Sequence, residues 1–163
     1  MRTGSVFLWE NYPFQKDGKP KNRWFVYLGE TKPDPFETDP NLIAVIAPTT
    51  TAQAELYEEG QERHARPYIK FDPLPELGFT HTCILDLSYS PESSSKAVFQ
   101  RYVDIGEIQL KGSIPESSLR KIFEKICSPY SAYSYKLKLD IHRNLNTIGI
   151  TSLSLPERPG RRR

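Results

Sequence analysis

Prolines and glycines divide this chain into short apolar runs, and that division limits the folds open to it. The 163 residues include 14 prolines and 9 glycines. Because proline cannot continue a central strand or the interior of a helix, most secondary-structure elements must be short. No apolar run reaches the roughly 18 residues that a transmembrane helix requires. We therefore expect one domain with its own core and no membrane partner.

Most of the apolar runs are rich in aromatic and β-branched residues, which favour strands. Strands are predicted at 5–14, 23–29, 42–47, 68–72 and 82–88, with further pieces at 98–103 and 105–110. Alternating polar and apolar residues predict two more strands, at 135–141 and 147–153. The acidic segment 52–67 is compatible with a short surface helix.

One segment has a clear helical pattern. Its apolar residues share one helix face, and they are Leu119, Ile122, Phe123 and Ile126. The pattern predicts a helix over about 114–127, with Ser113 as N-cap and Glu116 in the position of a capping box. The predicted fold class is therefore mainly β with one helix in the C-terminal half, an α+β arrangement in which the helix covers a small, strongly bent sheet or barrel.

Charge is distributed unevenly along the chain. Four of the 22 basic residues lie in the last six positions, which leaves 18 basic against 20 acidic residues elsewhere. The body is therefore not a generally basic nucleic-acid binder. The arginine-rich end, residues 157–163, either binds polyanions or acts as a flexible, solubilising tail.

The two cysteines and the N-terminus exclude several classes of protein. Cys83 and Cys127 lie far apart in apolar surroundings, which predicts buried free thiols and no structural metal site. We expect no metal and no cofactor. The first residues, 1–5, lack the hydrophobic stretch of a secretion signal, so a cytoplasmic location is expected.

A series of short motifs follows one another in a recognisable order. They are Gly4 to Trp9 with Tyr12-Pro13-Phe14, the loop Asp17-Gly18-Lys19 before Arg23, the strand end Pro48-Thr49-Thr50-Thr51, the acid Asp86 in an aliphatic run, and Gly112 to Glu116 before the helix. In this order the chain resembles the MazF/PemK family of toxin endoribonucleases. The chain departs from the family pattern in two ways. Trp24 follows Arg23 where the family usually has proline, and the stretch after Cys127 and the region 52–81 are longer than is usual in the family.

The resemblance implies a specific fold. It is an SH3-like small barrel of the CcdB/MazF type, here with extra C-terminal strands. Residues 1–127 would form the barrel and its helix, and 128–156 an extension that packs on the same domain.

The resemblance also implies an activity. Members of the family cleave single-stranded RNA without metal, by attack of the ribose 2′-oxygen on the adjacent phosphorus. It assigns catalysis to Arg23 with Thr50 and Thr51, because a guanidinium and hydroxyls can stabilise charge on the phosphoryl oxygens. Contacts to RNA are expected from Lys16, Lys19, Lys21, Trp24, Asp86 and His81. An antitoxin protein and a second copy of the chain, as a homodimer, are the implied partners.

Each of these residues also has an ordinary structural interpretation. Arg23 would then be a solvent-facing residue at a strand start, and the threonines would favour strand structure and cap a turn. Asp86 would accept backbone hydrogen bonds. The alternative function is a non-catalytic barrel that binds a protein or nucleic acid, including the role of a gyrase poison, because one fold hosts several functions.

Overall fold

An antiparallel sheet forms the frame of the molecule. The computed structural model describes residues 1–15, 17–32, 43–50 and 53–158. The strands in this part of the chain are β1 (Ser5–Tyr12), β2 (Lys21–Thr31), β3 (Ile43–Thr50), β4 (Tyr68–Phe71), β5 (Cys83–Asp86), β6 (Glu92–Ser95) and β7 (Ile108–Ser113). The helices are α1 (Lys96–Asp104), α2 (Glu116–Cys127) and α3 (Tyr135–Thr147), with short 3-10 turns at Ala54–Tyr57 and Pro75–Leu77.

Strand β3 pairs with two different strands along the edge that faces away from β2. The strand order is β4-β5-β3-β2-β1-β7, and β6 also pairs with β3. Residues Ile43 to Ile46 pair with β6, whereas Thr49 and Thr50 pair with β5. The described strands form an open sheet with β4 and β7 at its ends. The end of β3 therefore lies where one side of the sheet passes from β6 to β5, next to the start of β2.

Both faces of the central strands are buried, which explains the continuous apolar run in β2. Val26 and Leu28 belong to a core cluster that also contains apolar residues of α2 and α3. Phe25 and Tyr27 belong to a second cluster, which includes Phe99 of α1. Successive strand residues point to opposite faces, so a strand covered on both sides needs no polar alternation.

The prediction of an α+β fold is confirmed, but the expectation of a single helix is wrong. The segment 98–103, predicted as a strand, lies within α1. Its start is capped by Ser95, whose side chain accepts a hydrogen bond from the Val98 backbone N–H at 3.2 Å. Phe99 is buried on the inner face of this helix. Of the predicted strand 105–110, only the end is extended, as the start of β7.

The two strands predicted near the C-terminus are also absent from the described residues. Segment 135–141 is the first half of α3, and 148–158 has no regular secondary structure. Leu137, Ile141 and Leu145 lie four residues apart and share one helix face, although the first two also fit an alternating pattern. The side chain of Ser134 accepts from the Leu137 N–H at 3.2 Å and starts the helix.

The predicted helix over about 114–127 is present as α2, with a different start. Its N-cap is Pro115, and no side chain caps it, because Ser113 is still part of β7. Helix α3 docks on β2 through Asn144, whose side chain donates to the carbonyls of Leu28 and Glu30 at 3.2 and 2.9 Å. None of the helices that the structure describes combines the length and apolarity needed to span a membrane.

Candidate functional site

Two open hollows meet at the start of β2. They have volumes of about 530 and 680 Å³, and both are lined by Gln15, Lys21, Arg23 and Thr49. The smaller is called the tryptophan hollow, because Trp24 lines it together with Phe79 and His81. The larger is called the tyrosine hollow, because Tyr57 and Tyr89 line it together with Arg63 and Glu92. Arg23 thus lies on the boundary between two depressions.

The guanidinium of Arg23 is held mainly by aromatic rings. Its central carbon lies 5.8 Å from the ring centre of Tyr12 and 5.7 Å from that of Phe25. The Nη1 atom is 3.9 Å from a carboxylate oxygen of Glu92, the long end of the range for an ion pair. The guanidinium forms no hydrogen bond with any of the described residues. Within the described part of the chain, its N–H donors are therefore open to an incoming anion.

The Tyr12 phenol beside Arg23 stays protonated. Burial raises its pKa well above the usual value, the nearby Glu92 carboxylate raises it further, and Arg23 opposes the shift. Tyr12 is therefore a neutral wall of the site at all ordinary pH values. Its ring holds the cation without competing for it as a charged partner.

The predicted threonines were Thr50 and Thr51, but the structure places their neighbour Thr49 beside Arg23. Thr49 lines both hollows, and its hydroxyl donates to the Trp24 carbonyl at 3.4 Å. The backbone of Thr50 pairs with Ile84, but its side chain lies outside the described part, as does all of Thr51. Sequence reasoning missed Thr49 because it could not determine which alternate residues of the strand face the hollow.

Trp24 and His81 lie together in the tryptophan hollow. The Trp24 ring packs edge-on against Phe79, with ring centres 5.5 Å apart. His81 is exposed, and its Nδ1 atom hydrogen-bonds with the Thr80 hydroxyl at 2.9 Å. Trp24, which stands where the resemblance expects proline, is thus a wall of the hollow and does not fill it.

The predicted lysines are divided between the hollows and the surface. Lys21 lines both hollows, and its ammonium lies 3.7 Å from Asp17. Lys19 is exposed and is not among the residues described as lining either hollow. Lys16 lies outside the described residues. The structure therefore brings Lys21 to Arg23 and leaves Lys19 apart.

Asp86 lines the tyrosine hollow but serves as an anchor. Its carboxylate accepts from the Tyr57 hydroxyl at 2.5 Å and from the Ser88 N–H and hydroxyl at 2.8 and 2.6 Å. Arg66 lies 3.5 Å away. Burial, with the hydrogen bond to Asp86 as the next cause, raises the pKa of Tyr57 to about 12. These contacts fix the segment around Tyr57 against β5, and Asp86 makes no contact with Arg23 among those described.

Several residues of the site were not predicted. Gln15 lines both hollows and Arg63 lines the tyrosine hollow. The Gln15 Nε2 and the Arg63 Nε are buried, and neither has a hydrogen-bond partner within the described residues. Glu92, the first residue of β6, adds a carboxylate. None of these residues belongs to a local sequence motif. They come together because strands that lie far apart in the sequence pair with one another.

The extension after α2 stays clear of the site. Among the described residues that line the two hollows, none belongs to 128–158. Nor do any three His, Cys, Asp or Glu side chains of the described ranges cluster so that they could hold a metal ion. The arrangement thus offers a permanent cation and a hydroxyl at an open surface, which suits a phosphate group. In comparisons with family models, curated proteins and solved structures, nothing matches this chain.

Proposed function

We propose that this protein is a metal-independent endoribonuclease of the MazF/PemK toxin type, which cleaves single-stranded RNA at the boundary between the two hollows. One observation carries the proposal: the Arg23 guanidinium, which makes no hydrogen bond with the described residues, and the Thr49 hydroxyl line the same open hollows. A planar guanidinium can donate two parallel hydrogen bonds to one phosphate. The Thr49 hydroxyl beside it supplies another donor when it exchanges its long hydrogen bond to the Trp24 carbonyl, 3.4 Å, for one to the phosphate.

In this mechanism Arg23 stabilises the negative charge that develops on the phosphoryl oxygens. The bond from the 2′-oxygen to phosphorus forms, the bond from phosphorus to the 5′-oxygen breaks, and solvent protonates the leaving oxygen. Glu92, 3.9 Å from the Arg23 guanidinium, accepts the proton of the 2′-hydroxyl. The products are a cyclic phosphate and a 5′-hydroxyl. A lost donor at such a position typically costs about 2–4 kcal/mol of barrier.

The proposal extends to fold and partners. The antiparallel sheet around β3 would correspond to the SH3-like barrel of the CcdB/MazF type. The protein would act in the cytoplasm as the toxin of a toxin–antitoxin pair, as a homodimer whose site an antitoxin protein covers. The support for these points is the resemblance of the motifs between Gly4 and Cys127.

The test is to compare purified wild-type protein with Arg23→Ala on single-stranded RNA in EDTA. Wild type should cut the RNA and leave cyclic-phosphate and 5′-hydroxyl ends, and Arg23→Ala should be slower by a factor of about a hundred or more. Arg101→Ala is the matched control, because Arg101 is exposed on α1 and lines neither hollow. RNA that stays intact, or equal rates for wild type and Arg23→Ala, would refute the proposal.

A second candidate is a non-catalytic barrel that binds RNA or a protein through the same hollows. The observation in its favour is the Arg23–Glu92 pair, since a cation already opposite a carboxylate is less able to activate a phosphate. Expression of the wild type in cells, with the RNA examined afterwards, separates the two functions. Growth arrest with RNA fragments that carry cyclic-phosphate ends indicates the nuclease, and growth arrest with intact RNA indicates binding.

A further inference from the structure

We infer that the tyrosine hollow is a nucleobase subsite, in which one of the two nucleotides that flank the scissile phosphate stacks on Tyr89 and Phe14. The inference rests on the proposed function for the identity of the ligand.

Two large aromatic side chains are exposed at this hollow. Phe14 is 52% exposed and Tyr89 is 57% exposed, and both line it. Aromatic rings left open beside charged residues are what proteins use to hold unpaired bases, since every base has a π-face. The Phe14 ring is supported from behind by Trp9 and Tyr12, with ring centres 6.0 and 5.6 Å away.

The Tyr89 ring is positioned before any ligand arrives. The Arg66 guanidinium carbon lies 5.6 Å from the ring centre, and Arg66 Nη1 donates to the Tyr89 hydroxyl at 2.9 Å. Arg66 is itself 3.5 Å from Asp86 in β5. Because the cation lies over one face of the ring, a base would stack on the opposite face. A fixed ring loses little conformational freedom on binding.

Polar side chains line the same hollow beside the two rings, among them Gln15, Lys21 and Arg63. The Gln15 Nε2 and Arg63 Nε atoms are buried and have no partner among the described residues, although buried polar groups are normally hydrogen-bonded. Rotation of these side chains toward the hollow would bring the two donors to the edge of a base. The hollow thus combines exposed rings for stacking with polar side chains around the base edge.

The shared boundary sets the register of the substrate. Arg23 and Thr49 line both hollows, so a phosphate held there leaves one neighbouring nucleotide on each side. The tyrosine hollow, at about 680 Å³, has room for an extruded base. A base in a duplex cannot enter it without unpairing. The arrangement therefore selects single-stranded RNA.

The test uses a short single-stranded RNA with 2′-O-methyl riboses, which cannot be cleaved, and with the fluorescent base 2-aminopurine along its length. Wild type should bind it and quench the fluorescence by stacking. Tyr89→Ala should bind about fivefold more weakly or worse and lose most of the quenching. Tyr89→Phe keeps the ring and should retain the quenching. Tyr130→Ala is the control, because Tyr130 is 76% exposed and lines neither hollow.

The outcomes separate this inference from the proposed function. If Tyr89→Ala binds and quenches as Tyr130→Ala does, the subsite is wrong, even if Arg23-dependent cleavage is observed. If wild type binds and quenches through Tyr89 but cuts no unmodified RNA, the subsite stands and the nuclease proposal fails. If wild type does not bind the probe, or binds the matching duplex equally well, the subsite is refuted.

Discussion

At the scale of single residues, the central feature is a cation that aromatic rings position and hydrogen bonds leave open. Tyr12 and Phe25 belong to the second core cluster, so the core itself sets where the Arg23 guanidinium lies. Arginine stays charged at any relevant pH, which suits it to charge stabilisation and not to proton transfer. A sequence motif can identify such an arginine, but it cannot identify the residues that contact it.

The buried thiol of Cys83, beside this site, should make the stability of the fold depend on pH. Burial raises the pKa of Cys83 from 9.0 to about 11, against a smaller opposing effect of a hydrogen bond with Thr49. Above pH 9 the unfolded chain loses this proton while the folded chain keeps it, so stability falls as the pH rises. Between pH 9 and pH 11 the wild type should lose about 2 kcal/mol more unfolding free energy than Cys83→Ala.

Urea unfolding of both proteins across that range measures the difference. The comparison with Cys83→Ala is required because burial also raises the pKa values of Tyr27 and Tyr57, each to about 12, which adds to the loss at the upper end. Parallel curves for wild type and Cys83→Ala would contradict the prediction.

At the scale of elements, a glycine at the end of a 3-10 turn sets the wall of the tryptophan hollow. Gly78 follows Pro75–Leu77 with φ 78°, a left-handed conformation that favours glycine. A Cβ atom there would lie 2.3 Å from the Trp24 ring. The turn and the ring therefore fit only without a side chain at this position.

Substitution of this glycine should be more harmful than substitution of an otherwise similar one. Gly60 has φ 81°, and a Cβ atom there would meet nothing within 4 Å. Gly60→Ala should lower the unfolding free energy by about 1–2 kcal/mol, through backbone strain alone. Gly78→Ala should lower it by about 1–3 kcal/mol more, because Trp24 must move. Urea unfolding measures both, and equal losses would show that the Trp24 contact is unimportant.

Elements with strong local signals were predictable, and those that depend on context were not. The apolar face of α2 can be predicted directly from the spacing of its residues between Leu119 and Ile126. The strands around Phe7 and Phe25 can be predicted from their aromatic runs. Helix α3 was mistaken for a strand because Leu137, Leu139 and Ile141 alternate. The decisive facts were the Ser134 cap and the burial of Leu145, and the latter depends on packing against β2.

The same reasoning applies to the site. Arg23, Lys21, Trp24, His81 and Asp86 could be nominated from motifs, and all of them line one or both hollows. Their neighbours Arg63, Tyr89 and Glu92 come from segments without a motif. Only the pairing of β3 with β5 and β6 brings those segments to Arg23. No local pattern could have given that proximity.

At the scale of the whole molecule, net charge is governed by the C-terminal end. Removal of residues 158–163 would change the formal net charge from +2 to −2. Affinity for single-stranded RNA at low salt should fall, and the dependence of log affinity on log salt should become shallower by about 0.7 for each lost phosphate contact. Titrations at several salt concentrations measure both quantities.

The truncated protein should still cleave saturating amounts of RNA in a manner that requires Arg23. An unchanged salt slope would show that the arginine-rich end makes no phosphate contacts. Loss of cleavage at saturating RNA would place this end within the site itself, contrary to the proposal.

The most direct measurement is a crystal structure of the protein with single-stranded RNA that carries a deoxyribose at the cleaved position. A phosphate should lie at the boundary between the two hollows, within hydrogen-bond distance of the Arg23 guanidinium and the Thr49 hydroxyl. An RNA strand bound on another surface, with Arg23 still opposite Glu92, would contradict it.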